Sequence, residues 1–246
     1  MSEEDREFDR RLLRAKLDAL KELAYGASHE INNPLANISA RAQSLLRDEA
    51  DPERRRTLEA IYQQALRAHE MISDLMLFAR PPQLVLAPVD LAPLLEELVG
   101  ELREECRRRG IALKVHAAVS LPSVTADASA LAAAIRSLLV NAMEAIGRDG
   151  RIEVAVSASK SHIEIAVHDS GPGIPAEIAE KIFDPFFSGR EAGRGLGFGL
   201  SKCWRVVTDH GGEVTAANRP TGGATFTITL PLTARRQEGE ALPSPT

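Results

Sequence analysis

Asp169-Ser-Gly-Pro-Gly173 follows directly on the stretch from Ile163 to His168, in which apolar and polar residues alternate. The alternation predicts a strand with one buried face, and the glycines and proline predict a tight turn at its end. A second alternating stretch, Ile152 to Ser157, precedes it across a short polar segment, so together they predict a β-hairpin. Taken alone, Asp169 and its glycines are more typical of a simple Asp-Gly turn than of a ligand site.

Helical and strand patterns alternate on both sides of this hairpin. Further strands are predicted at 111–117, 213–218 and 225–230, and helices at 91–109, from the N-cap Asp127 to Ile146, and from Phe198 to His210, where Gly211 and Gly212 follow. Mixed elements of this kind predict an α/β domain. We expect it to span residues 89–233, with residues 234–246 as a polar, disordered tail.

The N-terminal part has a different pattern. From Leu13 to Leu45 apolar residues recur at steps of three and four, and a second such stripe runs from Leu58 to Ala79 after Asp51-Pro52. The two stripes predict a helical hairpin over residues 1–80, joined to the second domain by a proline-bracketed linker at 81–88. Because one hairpin cannot close a core by itself, we expect two hairpins to form a dimeric four-helix bundle.

Composition excludes several classes of protein. The net charge of −5 over 246 residues gives no reason to expect nucleic acid as a partner. Cys106 and Cys203 have no metal-ligand spacing, which favours a reducing, cytoplasmic location over a disulfide framework. No apolar run approaches the roughly 20 residues of a membrane span, so none is expected in this chain.

Four short motifs occur in a fixed order: HEINNPL at 29–35, NAMEA at 141–145, DSGPG at 169–173 and GLGFGL at 195–200. In this order they resemble the H, N, G1 and G2 boxes of the sensor histidine kinases of two-component signalling, and HEINNPL resembles the nitrogen-regulation-like branch. The resemblance implies an α+β multidomain protein, with a helical hairpin that forms the dimeric bundle and an α/β sandwich (Bergerat-type) ATP-binding domain. It also implies autophosphorylation from ATP and Mg²⁺, followed by transfer to a response-regulator aspartate.

The first motif supplies the predicted catalytic residues. His29 is two positions from the stripe residues Ala27 and Ile31, about 160° around a helix, so we expect it to face solvent. A neutral imidazole has a lone pair for attack on phosphorus. The resemblance makes His29 the phosphoacceptor, Glu30 the residue that orients and deprotonates it, and Asn33 the residue that positions water for phosphatase activity on the response regulator.

The other motifs supply the predicted nucleotide site. Asn141 would be an amide buried in an apolar helix, and an amide oxygen is a suitable ligand for Mg²⁺; capping of a neighbouring loop is the alternative. The resemblance implies that Asp169 accepts a hydrogen bond from the adenine amine, and that residues 174–194 form a lid with aromatic anchors including Phe183. The remaining predicted ATP contacts are Glu144, Ala145, Gly171, Gly173, Ile174, Arg190, Arg194, Gly195, Leu196, Gly197, Gly199 and Leu200.

Two other functions fit parts of this pattern. One is an ATP-hydrolysing conformational switch, whose class has a water-activating glutamate four residues before the asparagine, where this chain has Ser137. Histidine kinases usually have a second asparagine there, so Ser137 departs from both patterns. The other is a non-catalytic signalling scaffold. The expected partners are a second copy of the chain, a response-regulator receiver domain, and a sensor domain or separate sensor protein.

Overall fold

The structure, a computed structural model, describes residues 30–79, 83–117, 121–184, 187 and 198–233, and the side chains of 70, 74–79 and 198 are outside this description. Internal contacts divide the chain into two compact units, 1–82 and 83–246. The described part of the first is helical, whereas the second combines helices and strands. A helical region followed by an α/β domain is the fold class that the sequence predicts.

The first unit contains two described helices, α1 over 30–48 and α2 over Pro52–Ala79. Asp51 is the predicted N-cap of α2, and its Oδ1 accepts hydrogen bonds from the amides of Glu53 and Arg54, both at 2.9 Å. His69 Nδ1 of α2 donates to Asn32 Oδ1 of α1 at 3.1 Å, so this pair joins the two helices.

Large apolar side chains of the predicted stripes stay exposed on this unit. Ile38, Leu45 and Ile61 are 45%, 61% and 44% exposed. An open apolar groove runs between the two helices, and it is lined by Leu35, Ile38, Thr57, Ala60, Ile61, Gln64 and Ala65. Burial of such side chains contributes about 1.5–3 kcal/mol each, which the isolated hairpin forgoes.

The second unit contains three helices and seven strands among its described residues. The helices are α3 (Leu91–Arg108), α4 (Ala128–Ile146) and α5 (Phe198–Asp209). The strands are β1 (Ala87–Val89), β2 (Ile111–Ala117), β3 (Val124–Ala126), β4 (Gly150–Ala158), β5 (His162–Asp169), β6 (Glu213–Asn218) and β7 (Ala224–Pro231). The 3₁₀ turn Ala179–Lys181 lies between β5 and α5.

Five strands form one mixed sheet in the order β2-β4-β5-β7-β6. The pairs are antiparallel except β2 with β4, which are parallel. Alternate residues of β5 and β7 are buried, including Ile163, Ile165 and Ile228, each 0% exposed. Because β7 runs antiparallel to both of its neighbours, the last residues of β5 and β6 lie beside the first residues of β7, at the same end of the strands.

Local sequence signals place most of these elements correctly. Asp127 is the N-cap of α4, with Oδ1 accepting from Ala130 N at 3.0 Å, and the helix ends at Ile146 as predicted. The predicted hairpin is β4–β5, and both strands are a few residues longer than the alternation indicated. The short sheet formed by β1 and β3 was not predicted, and it includes Ala87 and Pro88 of the predicted linker.

Helix α4 resembles a membrane span in length and composition. It has 19 residues and a mean hydropathy of 1.3, and among the described residues it is the one helix long and apolar enough to cross a membrane. Its apolar face is buried, however, with Leu131, Ile135 and Leu138 each 0% exposed. Packing against α5 and the sheet accounts for its apolar composition.

Asp127 also joins three separate segments of the second unit. Its Oδ2 accepts from Val85 N at 2.9 Å, and its backbone amide donates to Nε2 of the buried His210 at 2.9 Å, just after α5. The Ala130 amide first, and the Val85 amide in addition, hold the pKa of Asp127 below its ordinary value despite partial desolvation. This carboxylate therefore stabilises the fold above its unfolded-state pKa.

We predict that Asp127→Ala lowers the free energy of unfolding by about 1–2 kcal/mol at pH 7, because a cap and a second amide partner are both lost. The difference from the unmodified chain should shrink as pH falls through the lowered pKa of Asp127, where its carboxylate is protonated. Urea denaturation at several pH values measures this. Asp90→Ala is the control, since Asp90 caps α3 through Ala92 N alone, and an equal cost would contradict the additional role of Asp127.

Candidate functional site

One edge of α4 carries the residues of this helix that the sequence predicts to lie at the nucleotide site. Ser137, Asn141 and Ala145 follow one another at steps of four and are half-buried, and Glu144 beside them is exposed. Asn141 is therefore on the accessible edge of the helix and is not the buried amide that the apolar sequence around it predicts. A half-buried amide is accessible to a ligand and avoids the full desolvation cost of an amide in the core.

Ser137 is engaged with its own helix. Its Oγ donates to the carbonyl oxygen of Ala133 at 2.9 Å, one turn earlier. A serine in this arrangement lacks the carboxylate that activation of a water molecule requires. Ser137 therefore provides no general base at this position of the helix.

Asp169 is the last residue of β5 and is 2% exposed. Its Oδ1 accepts from Gly171 N at 2.8 Å and from Ala224 N at 3.2 Å. A buried carboxylate without partners would be costly, and these two amides offset that cost. Within the part of the chain that the structure describes, no donor lies against Oδ2, so Oδ2 is the oxygen left to accept from a ligand.

Gly171 brings the end of β5 against the end of α4. A Cβ at Gly171 would lie 3.3 Å from Cβ of Ala145 and 2.9 Å from Oδ1 of Asp169. Only a residue without a side chain allows this close approach. The loop of residues 169–174, called here the Asp169 loop, therefore lies beside the helix that carries Asn141.

The far end of the Asp169 loop is held by a residue that lies outside the four sequence motifs. Asn218, the last residue of β6, accepts from Ile174 N through Oδ1 at 2.6 Å and donates from Nδ2 to Ile174 O at 2.8 Å. Gly173, next to Ile174, has a φ of 82°. No local signal marks Asn218, since an asparagine before a turn is ordinary.

Gly223 makes the closest contact with this loop. A Cβ there would lie 2.0 Å from the carbonyl oxygen of Asp169, and the φ of Gly223 is 84°. The turn between β6 and β7 therefore passes directly over the Asp169 backbone. The Gly222-Gly223 pair was a visible turn signal, but its partner could not be inferred from the sequence.

The base of the predicted lid is anchored at Phe183. This side chain is 4% exposed, and its ring meets that of Phe226 on β7 edge to face, with centroids 6.4 Å apart. Gly199 and Leu200 lie in the first turn of α5. Five predicted ATP contacts lie outside the described residues: Arg190, Arg194, Gly195, Leu196 and Gly197.

The residue next to Asp169 is a histidine whose pKa is lowered. Burial first, and then the nearby Arg219, lower the pKa of His168, so this neighbour of Asp169 is neutral at pH 7. Among the described residues, no group of three His, Cys, Asp or Glu side chains could hold a metal ion. The amide oxygen of Asn141 fits Mg²⁺ only as one of several oxygen ligands, with phosphates and water as the others.

Two of the predicted catalytic residues are described in the first unit. Glu30 and Asn33 are exposed on α1, whereas Asn32 between them is half-buried against His69. His29 lies outside the described residues. The two asparagines of the motif therefore differ, since Asn33 is exposed and Asn32 joins the two helices through His69.

Both parts of the chain match known families. Residues 19–83 match the His Kinase A (phospho-acceptor) domain. Residues 126–234 match the histidine kinase-, DNA gyrase B-, and HSP90-like ATPase family. Among curated relatives, sensor histidine kinase ZraS of Escherichia coli (strain K12) is 35% identical over 224 residues, which cover 91% of this chain and 48% of ZraS.

Solved structures of histidine kinases are similar over both parts. Full-length ShkA in complex with AMPPNP gives a TM-score of 0.74 at 25% identity, covering 87% of this chain and 46% of that one. The catalytic domain of histidine kinase ThkA gives 0.56 at 32% identity, covering 60% and 96%. ThkA in complex with response regulator protein TrrA gives 0.66 at 27% identity, covering 95% and 68%.

The chain spans about half the length of the curated relatives it matches. The order of the matched regions, phospho-acceptor first and ATPase second, is the order predicted from the four motifs. The membership of the nitrogen-regulation-like branch stays a prediction. With a phospho-acceptor region, an ATPase domain and relatives of this kind, the chain belongs to the sensor histidine kinase family.

Proposed function

We propose that this chain transfers the γ-phosphoryl group of ATP to His29 and then to an aspartate of a response regulator. The observation that carries the proposal is the buried Asp169 carboxylate, which is anchored through Oδ1 and keeps Oδ2 available beside the Asn141 helix. The similarity to ShkA, whose structure was solved in complex with AMPPNP, supports an ATP-like ligand for this fold.

We propose that the adenine amine donates to Asp169 and that the Asp169 loop approaches the base closely. Asn141 would be a ligand of Mg²⁺, and Glu144, three residues further along α4, would contact the nucleotide. When bound, Mg²⁺ would neutralise charge on the phosphates. The amides at the start of α5, with Gly195, Gly197 and Gly199 before or within its first turn, would bind phosphate oxygens. Arg190 and Arg194 are the cationic candidates of the lid.

At His29, a ring nitrogen forms a bond to phosphorus while the bond from phosphorus to the bridging oxygen of ADP breaks. Glu30 would orient the imidazole and accept the proton from its other nitrogen. Positioning supplies most of the catalysis in such a transfer. We propose that the phospho-acceptor hairpin spans residues 1–80 and that the ATP-binding domain spans residues 89–233.

Ser137 argues against the ATP-hydrolysing switch. Hydrolysis in that class needs a carboxylate to activate water, and the Ser137 hydroxyl donates to Ala133 O instead. The scaffold alternative remains distinct, because it requires nucleotide binding without transfer. Transfer of labelled phosphate from ATP to His29 would distinguish the kinase from both alternatives, since neither of them phosphorylates His29.

We predict that His29→Gln abolishes phosphorylation of the chain by γ-labelled ATP with Mg²⁺, since glutamine has no nucleophilic ring nitrogen. The label on the unmodified chain should be acid-labile and base-stable, as expected for a phosphoramidate. His116→Gln is the matched control, because His116 is exposed on β2 of the other unit. Label of the same chemistry on the His29→Gln variant would contradict the kinase assignment.

We propose that Asn33 supports removal of phosphate from the response regulator. It follows His29 by four residues, a spacing that predicts a shared face if both belong to one helix, and Asn33 itself is exposed on α1. The complex of ThkA with response regulator TrrA supports a receiver domain as the partner of this surface.

For Asn33→Ala we predict loss of phosphatase activity by at least about tenfold with autophosphorylation unchanged, because the lost amide would position water and not ATP. The assay follows decay of a phosphorylated receiver domain with ADP present. Asn32→Ala is the control: it removes the bond to His69 and should cost about 1 kcal/mol of stability with phosphatase activity retained. Equal losses in both variants would contradict a specific role of Asn33.

We propose that the exposed apolar side chains of α1 and α2 are covered by a second copy of the chain in a four-helix bundle. We predict that Ile38→Glu produces a monomer, since the charge would be buried in the bundle. Light scattering after gel filtration measures the mass. Gln43→Glu, also exposed on α1 but outside the groove, should remain dimeric, and a dimeric Ile38→Glu variant would exclude this face as the interface.

We further propose that a sensor domain or a separate sensor protein controls this core and that the kinase works in the cytoplasm. Membership of the sensor histidine kinase family supports both proposals.

A further inference from the structure

We propose that Asn218 is a positioning residue that holds the Asp169 loop in the conformation that recognises adenine. This inference rests on the proposed function, because it assumes that Asp169 contacts the base. Asn218 lies on β6, whereas Asp169 ends β5, and β7 separates the two strands in the sheet. The loop therefore crosses the end of β7 before it reaches Asn218.

Asn218 forms two hydrogen bonds with one residue of the loop, as a neighbouring strand does in an antiparallel pair. Its side-chain amide accepts from Ile174 N at 2.6 Å and donates to Ile174 O at 2.8 Å. Both polar groups of one backbone residue are thus held by one side chain. Two hydrogen bonds in opposite directions fix the position and the orientation of the peptide, which a single bond would not do.

The two ends of the loop are held by different means. At the first end, Asp169 Oδ1 is bonded to Gly171 N and to Ala224 N at the start of β7. At the second end, a Cβ at Gly173 would lie only 2.7 Å from Asn218 Oδ1, so the backbone is packed directly on this amide. Asn218 is thus the attachment that keeps the loop from turning about its first anchor.

Asn218 is exposed, so its loss should weaken this attachment without opening the core. Water can replace both of its hydrogen bonds to Ile174 in the absence of the side chain. The loop would then sample other positions, and Asp169 Oδ2 would meet the adenine amine less often. A role in base recognition differs in this way from a role in stability alone.

The experiment compares the affinity of ADP with that of IDP, with Mg²⁺, by calorimetry on the full chain. IDP has a carbonyl oxygen where adenine has its amine, so this position of the base cannot donate to Asp169. The unmodified chain should prefer ADP by about tenfold or more, the equivalent of one charge-assisted hydrogen bond. In Asn218→Ala the affinity for ADP should fall about fivefold to tenfold and that for IDP by less, so that the preference shrinks to about twofold or threefold.

Thr215→Ala is the matched control, because Thr215 is an exposed polar residue of the same strand and no described hydrogen bond joins it to the loop. Its ADP preference and its melting temperature should match those of the unmodified chain. Asn218→Asp is the second variant: it retains an acceptor for Ile174 N but places a carboxylate against Ile174 O. It should fold normally and lose part of the preference.

Gly223→Ala and Gly222→Ala test the same loop from its other side. Gly223 has a φ of 84° and Gly222 a φ of 89°, so both substitutions place a side chain in the left-handed region. Only a Cβ at Gly223 meets Asp169, and nothing lies within 4 Å of one at Gly222. Gly223→Ala should therefore lose ADP preference and Gly222→Ala should keep it.

The outcomes separate the inference from the function on which it rests. An unmodified chain that binds ADP and IDP equally would contradict adenine recognition by Asp169. An unmodified chain that prefers ADP, with Asn218→Ala keeping the whole preference, would overturn the inference about Asn218 and leave the proposed function intact.

Discussion

The arrangement of the ATP-binding unit depends on one buried carboxylate. Asp169 is 2% exposed, and a charge in that position is tolerated because backbone amides from two different strands or loops bond its Oδ1. The same bonds make β5, the Asp169 loop and β7 one connected element. Among the residues that the structure describes, none donates a hydrogen bond to the second oxygen, Oδ2.

Glycines allow this element to be compact. A Cβ at Gly171 would lie 2.9 Å from Asp169 Oδ1 and 3.3 Å from Ala145, and one at Gly223 would collide with the Asp169 carbonyl oxygen at 2.0 Å. Their absence of Cβ lets α4, the Asp169 loop and the turn after β6 meet within van der Waals distance. The site is therefore formed by backbone packing as much as by its polar side chains.

The helical unit has the opposite character. Large apolar side chains of both of its helices are exposed beside an open groove. The two asparagines of HEINNPL have different surroundings: Asn32 forms a hydrogen bond with His69 within the hairpin, whereas Asn33 is exposed. The exposed Asn33 and two residues of the open groove, Leu35 and Ile38, thus lie on the same helix, α1.

Local sequence patterns were enough to identify most elements and the family. Asp127 as a cap, the alternation of β4 and β5, and the four ordered motifs depend on neighbours a few residues apart, so short-range signals were sufficient. Only the folded arrangement shows that β2 pairs parallel to β4, that Asn141 lies on an accessible edge, and that Asn218 holds Ile174. Residues 174 and 218 meet because the sheet places three strand ends side by side, and no local pattern encodes that contact.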